Sequence, residues 1–174
     1  MMSWRAAVIT VSDSRGRGET THDPSGDLIV ARLAELPADI TDRRLVPDEV
    51  EAIRAALGAV LARAHLVVLS GGTGLGPRDV TPQAISPLLD YEVPGMAEAM
   101  RREGLRNTPH AMLSRQVVGV SQGRLVIALP GSPAAVDQGL RTVWKALPHA
   151  LRLLAGDTAH GGTSPPDVGH LDPS

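Results

Sequence analysis

Two aspartates and a run of glycines carry the chemistry open to this chain. Residues 70–79 read Ser-Gly-Gly-Thr-Gly-Leu-Gly-Pro-Arg-Asp, so Gly71, Gly72, Gly74 and Gly76 follow an apolar run directly. Arg78 and Asp79 come just before Thr81-Pro82. Glycine takes positive φ and lets a ligand approach backbone N–H groups. A glycine turn between a strand and a helix start is a natural phosphate site, favoured by the helix dipole. Asp79 is out of place in a pure anion trap, and its carboxylate points to a bridging cation. Asp48 occupies a similar position, at a helix start beyond another strand. Mg²⁺ binds through one or two carboxylates plus substrate phosphates, so the pair could hold it between them.

Simpler readings exist for each residue. Asp48 and Glu51 have the spacing of a capping box, and a cap contributes about 1 kcal/mol. Thr81 is the better cap for the helix after Asp79. Arg15, Arg17, Arg78 and Arg115 lie in or beside polar loops and either grip phosphates or stand solvated. Ser25, Ser114 and Ser132 are polar contacts or ordinary caps. The glycine loop misses the familiar nucleotide fingerprints: Pro77-Arg78 replaces the Lys-Ser/Thr of a P-loop, and Pro77 stands where a dinucleotide turn needs its third glycine. The six histidines are scattered, which disfavours zinc.

The elements that position these residues alternate. Residues 6–11, 40–46, 64–68 and 124–129 are compact apolar or weakly alternating runs that read as strands. The charged Asp42, Arg43 and Arg44 place the second of them near a sheet edge. Helices begin near Ser25-Gly26, after Pro47, at Thr81-Pro82, at Met96 and after Pro133, and Glu92-Val93-Pro94-Gly95 reads as a turn. Residues 116–120 and 124–129 form a hairpin across Ser121-Gln122-Gly123. The expectation is a single-domain α/β three-layer sandwich: a mostly parallel sheet with one antiparallel hairpin strand and helices on both faces. The domain spans residues 1–155. The Gly-, Pro- and Ser-rich residues 156–174 are expected to be a disordered tail. Ligands of such sheets sit beyond the strand carboxyl ends, where residues 12–17, 47–48, 70–79 and 130–133 converge.

Composition narrows the class. Hydrophobic residues make up 43% of the 174, yet aromatics only 2%, so the core is aliphatic and stacking platforms for single-stranded nucleic acid are missing. The net charge of −2 offers no basic surface for nucleic acid. The absence of Cys excludes disulfides and thiolate metal sites. The N-terminus leads into a strand without the apolar core of a signal peptide, and no run approaches a membrane span. A cytoplasmic protein without membrane or nucleic-acid partners is expected.

Several motifs agree in order over nearly all of the chain before the tail. Ser70-Gly-Gly-Thr-Gly-Leu-Gly-Pro-Arg-Asp79-Val-Thr-Pro82, Val93-Pro-Gly-Met-Ala-Glu-Ala-Met-Arg101, Thr108-Pro-His-Ala-Met-Leu-Ser-Arg115, Leu129-Pro-Gly-Ser-Pro133 and Asp23-Pro-Ser-Gly26 together resemble the MogA/MoaB family of molybdenum cofactor biosynthesis. The resemblance implies a molybdopterin adenylyltransferase, which moves AMP from Mg-ATP to molybdopterin and releases pyrophosphate. It implies Mg²⁺ as cofactor, and a homotrimer or hexamer, with a molybdate-insertion protein as a possible partner. The family's essential aspartates fall on Asp48 and Asp79, as catalytic residues and metal ligands. Its nucleotide contacts fall on Gly71, Gly72, Thr73, Gly74, Pro130, Gly131 and Ser132, and its pterin contacts on Ser25, Gly26, Ser114 and Arg115. Gln83, Ala134 and Met96-Ala97 depart from the common family pattern. The alternative reading, supported by Gln83 and Ala134, is a non-catalytic molybdopterin carrier of the same pathway.

Overall fold

The computed structural model describes residues 3–157. Residues 158–174, most of the tail expected to be disordered, lie outside the described residues. In chain order the elements are β1 (Trp4–Val11), α1 (Asp13–Gly16), α2 (Pro24–Leu33), β2 (Ala38–Val46), α3 (Val50–Leu61) and β3 (Leu66–Ser70). There follow α4 (Thr81–Ile85), β4 (Tyr91–Glu92), α5 (Pro94–Gly104), β5 (Val117–Ser121), β6 (Arg124–Leu129), α6 (Pro133–Val143) and α7 (Leu147–Leu154). Short 3₁₀ turns lie at Ser86–Leu88, Pro109–Leu113 and Trp144–Ala146.

Among the described residues six strands make one sheet in the order β2-β1-β3-β6-β5-β4. β2, β1, β3 and β6 run parallel, and β5 turns back antiparallel beside β6. Successive residues along each central strand point to opposite faces, and both faces are lined mostly by apolar side chains. Ala6, Val8, Leu66, Val68, Leu125 and Ile127 face one side, where Ile29 and Leu33 of α2, Met100 of α5 and Leu140 of α6 cover them. Ala7, Ile9, Val67, Leu69, Val126 and Ala128 face the other, under Ile53, Leu57 and Val60 of α3 and Ile85 of α4. A sheet buried on both faces has no polar face to alternate with, as parallel sheets require. β2 lies at the edge and alternates between half-buried and exposed positions, which accommodates its charges.

Local details depart from expectation for identifiable reasons. α5 begins at Pro94, two residues before Met96, because proline suits the first helical turn. Glu92, expected to open a turn, instead pairs with Gly119, and with Tyr91 opposite Val120 it forms a two-residue edge strand. The loop after β1 contains the single turn α1. Among the described residues no helix is long and apolar enough to cross a membrane.

Candidate active site

The carboxyl ends of β1, β3 and β6 meet so closely that only glycine fits between them. The Gly71 N–H donates to the Leu129 carbonyl at 3.0 Å, bringing the end of β3 against the end of β6. Gly71 has φ 101°, and a Cβ there would fall on the Val11 carbonyl oxygen of β1. A Cβ on Gly131 would lie 3.3 Å from the Gly71 Cα. Gly72 also has positive φ, at 66°.

Thr81 and Arg115 hold this loop from beneath. The Thr81 hydroxyl donates to the Gly71 carbonyl at 2.8 Å and its N–H to the Gly72 carbonyl at 3.0 Å. Thr81 is therefore a buried brace and does not cap α4, whose N-cap residue is Val80. The Arg115 N–H donates to the Thr73 carbonyl at 2.8 Å; its guanidinium donates to the Gly74 carbonyl at 2.9 Å and the Asp79 carbonyl at 2.6 Å. Arg115 thus ties three positions of the loop together, and its guanidinium points at backbone.

Asp79 closes the far end. Its Oδ2 accepts the Gly76 N–H at 2.8 Å while its own N–H donates to the Gly76 carbonyl at 3.0 Å. A Cβ on Gly74 or Gly76 would stand 2.8 or 2.7 Å from that same oxygen, so these glycines leave the space for the carboxylate.

Asp48 approaches from the end of β2, and the capping box expected of it does not form. The N-cap of α3 is Glu49 with no side-chain cap bond. Instead Asp48 and Asp13 hold each other reciprocally. The Asp13 N–H donates to Asp48 Oδ2 at 2.8 Å, and the Asp48 N–H to Asp13 Oδ1 at 3.1 Å. The remaining oxygen, Oδ1, faces Gly72, 3.0 Å from where a Cβ would sit. Burial pushes the Asp48 carboxyl above its usual pKa; the Asp13 N–H opposes this, and the charges of Asp13 and Asp79 add to it.

Asp13 is the residue that sequence reasoning missed; it was legible only as one polar residue of a strand-end loop. Arg78 grips it twice, Nε at 3.0 Å and Nη2 at 2.8 Å, which with the Asp48 N–H and Arg17 outweighs the opposing effect of burial and holds its pKa at about 2. Arg78, a candidate phosphate ligand by sequence, is occupied by this pair. Arg17 lies 3.6 Å from the same carboxylate. Arg15 lines the cavity, its Nε donating to the His22 carbonyl at 2.7 Å.

Asp48, residues 71–74, Asp79, Ser114, Pro130, Gly131 and Ser132 line one open cavity of about 650 Å³. His110 and Leu113, which sequence reasoning did not single out, complete its far wall from the 3₁₀ turn before Ser114. A smaller cavity of about 260 Å³ between α5 and α6 shares His110, Ser114, Pro130 and Ser132 with it. Ser25 and Gly26 stand behind the cavity. The Ser25 hydroxyl donates to the Gly131 carbonyl at 2.6 Å, and the Gly26 N–H to Asp23 Oδ1 at 3.1 Å. Asp23 is 3% exposed and also accepts from Thr10 and Arg43, so the start of α2 is anchored from two sides. Ser132 caps α6, its Oγ accepting the Ala135 N–H at 3.3 Å.

A glycine loop, two carboxylates and a bipartite cavity lie together at the strand ends of an α/β sheet, an arrangement that suits a phosphorylated ligand. Residues 7–149 match the family described as the probable molybdopterin binding domain, and the chain belongs to this family. It is 45% identical over 152 residues to a molybdenum cofactor biosynthesis bifunctional protein of Synechococcus elongatus, covering 87% of this chain and 47% of that protein. It is 34% identical to the molybdopterin adenylyltransferase of Pyrococcus furiosus, covering 86% and 90% of the two chains. The fold superposes on the molybdopterin biosynthesis enzyme MoaB of Thermus thermophilus with a TM-score of 0.82 at 46% identity, over 88% of this chain and 97% of the other. The chain spans about half or less of the length of several curated relatives.

Proposed function

We propose that this protein is a molybdopterin adenylyltransferase acting in molybdenum cofactor biosynthesis. The observation that carries the reading is that Asp48 and Asp79 line one cavity together with the glycine loop, where burial raises the Asp48 pKa and the charges of Asp13 and Asp79 add to it. It is supported by relatives that bear this name at 33–34% identity over nearly their whole length.

The substrates are ATP and molybdopterin. An oxygen of the terminal phosphate of molybdopterin attacks the α-phosphorus of ATP. The new P–O bond forms as the bond to the β-phosphate bridging oxygen breaks, and pyrophosphate leaves with the electron pair. No covalent enzyme intermediate is needed, so catalysis is positioning and electrostatics. The backbone of residues 72–74 offers N–H groups to the phosphates, with Pro130, Gly131 and Ser132 closing the nucleotide side. Gly71 contributes shape, since its own N–H is held by Leu129. On the pterin side Ser114 contacts ligand, while Arg115, Ser25 and Gly26 act by holding the loops that do.

Mutually repelling carboxylates suit a cation, and Asp48 Oδ1 and Asp79 are the residues that would hold Mg²⁺, with substrate phosphates supplying further ligands when bound. When bound, the ion neutralises charge on the phosphates. Residues 1–155 form the working domain, in a cytoplasmic homotrimer or hexamer that passes its product to a molybdate-insertion protein.

The test is pyrophosphate release from Mg-ATP and molybdopterin. Release should depend on both substrates and fall about 100-fold or more in Asp79→Ala, with pterin binding kept. Normal turnover by that variant would remove Asp79 from the mechanism.

A further inference from the structure

The smaller cavity has two glutamines in its wall that the adenylyl-transfer chemistry does not use. Gln116 is only 6% exposed, and its backbone is fixed on both sides. Its N–H donates to Ser114 Oγ at 3.3 Å, and its carbonyl accepts from Arg101 at 2.9 Å. No described residue hydrogen-bonds its side-chain amide. Gln138, across the cavity on α6, accepts from Asn107 at 3.3 Å through Oε1, while its Nε2 is buried without a partner. A buried amide N–H without an acceptor is costly, and a fold retains one where a ligand satisfies it.

We propose that Gln116 and Gln138 are specificity-determining residues that read the hydrogen-bonding edge of a planar nitrogen heterocycle. A side-chain amide offers one donor and one acceptor side by side, the complement of a ring edge with an amino group beside a ring nitrogen or carbonyl. The rest of the lining suits a flat ring: Met100, Ala111, Pro130 and Ala135 give apolar walls. About 260 Å³ is room for a fused two-ring system without its sugar or phosphates, which extend through the shared wall at Ser114 and Ser132 towards the glycine loop. Two ligands of the proposed reaction carry such an edge, the adenine of ATP and the pterin of molybdopterin. The identity of the ligands rests on that reading; the existence of an amide-lined ring site does not.

The experiment measures binding and leaves turnover aside. Gln116→Met and Gln138→Met keep an unbranched side chain of similar length and remove the amide. Gln116→Met should melt at or above the wild-type temperature, because no protein hydrogen bond to its amide is lost, and Gln138→Met, which gives up only the exposed Asn107 contact, should melt close to it. Equilibrium dialysis with ATP and with ITP, and titration of molybdopterin by its own fluorescence, then separate the sources. Each variant should weaken one ligand by about tenfold or more, as expected for a lost buried hydrogen bond that leaves the ligand group unpaired. Weakened ATP binding with lost discrimination against ITP assigns the site to adenine. Weakened molybdopterin binding with ATP unchanged assigns it to the pterin. Gln138→Glu, which replaces the donor with an acceptor, should weaken the same ligand and serves if a methionine variant melts early. Affinities within twofold of wild type for all three ligands, in folded variants, would overturn the proposal. Absence of transfer by the wild-type protein would instead count against the adenylyltransferase reading and leave these binding results in force.

Discussion

Replacing Arg115 distinguishes a loop clamp from a substrate ligand. Its guanidinium makes two hydrogen bonds to carbonyls, at Gly74 and Asp79, in a partly buried position. A hydrogen bond to a charged group contributes about 1.5–3 kcal/mol, and partial exposure lowers the sum, so Arg115→Ala should destabilise the ligand-free protein by about 2–4 kcal/mol. For a domain of this size that corresponds to a fall in melting temperature of roughly 5–15 °C. The backbone bond from the Arg115 N–H to Thr73 survives the change, so the loop loosens at its Asp79 end first. Adenylyl transfer should therefore fall through kcat, as the Asp79 carboxylate loses its fixed place. Arg115→Lys can reach one carbonyl at a time and should recover less than half of the lost stability. Differential scanning calorimetry without ligand, with transfer kinetics on the same samples, makes the comparison. An unchanged melt with a raised KM for molybdopterin would refute the clamp and return Arg115 to direct pterin contact.

Further outcomes follow from neighbouring geometry. Gly71→Ala places a Cβ on the Val11 carbonyl at φ 101°, and should cost about 3 kcal/mol or more in thermal melts, against about 1 kcal/mol for Gly123→Ala, where φ is 71° but the space is open. Asp48 carries a raised pKa in the folded state, so its ionised form opposes folding. Asp48→Asn should stabilise the ligand-free protein near pH 7 while abolishing transfer, and the gain should shrink as pH falls through the folded pKa towards the ordinary aspartate value of 3.8, as read by urea titrations across pH. Leu140→Ala, at a fully buried contact between α6 and the sheet, should lose about 2–5 kcal/mol in the same titrations.

What could be read in the chain was whatever depends on neighbours in sequence. The runs that became β1, β3 and β6 are apolar at most positions on both faces because helices cover both, and that pattern is visible residue by residue. The glycine loop announces its strain through composition. The partner of Asp48 does not, because Asp13 lies 35 positions earlier and meets it only once β1 and β2 are paired. The local capping-box spacing of Asp48 and Glu51 competed with that long-range contact and lost. Arg115 looked like a phosphate or pterin ligand for the same reason, since the carbonyls it holds are 41 and 36 positions away. β4 has only two residues and no pattern of its own; it exists because β5 offers an open edge. Gln116 and Gln138 carry no sequence signal of a site, and only the burial of Gln116 and the buried, unpartnered Nε2 of Gln138 set them apart.

The most direct test of the central claim follows the α-phosphate. The purified chain, incubated with Mg-ATP labelled at the α-phosphorus and molybdopterin, should transfer the label into a pterin product while releasing one pyrophosphate per label transferred. Label remaining wholly in ATP and AMP, with molybdopterin bound but unchanged, would contradict the account and identify a carrier.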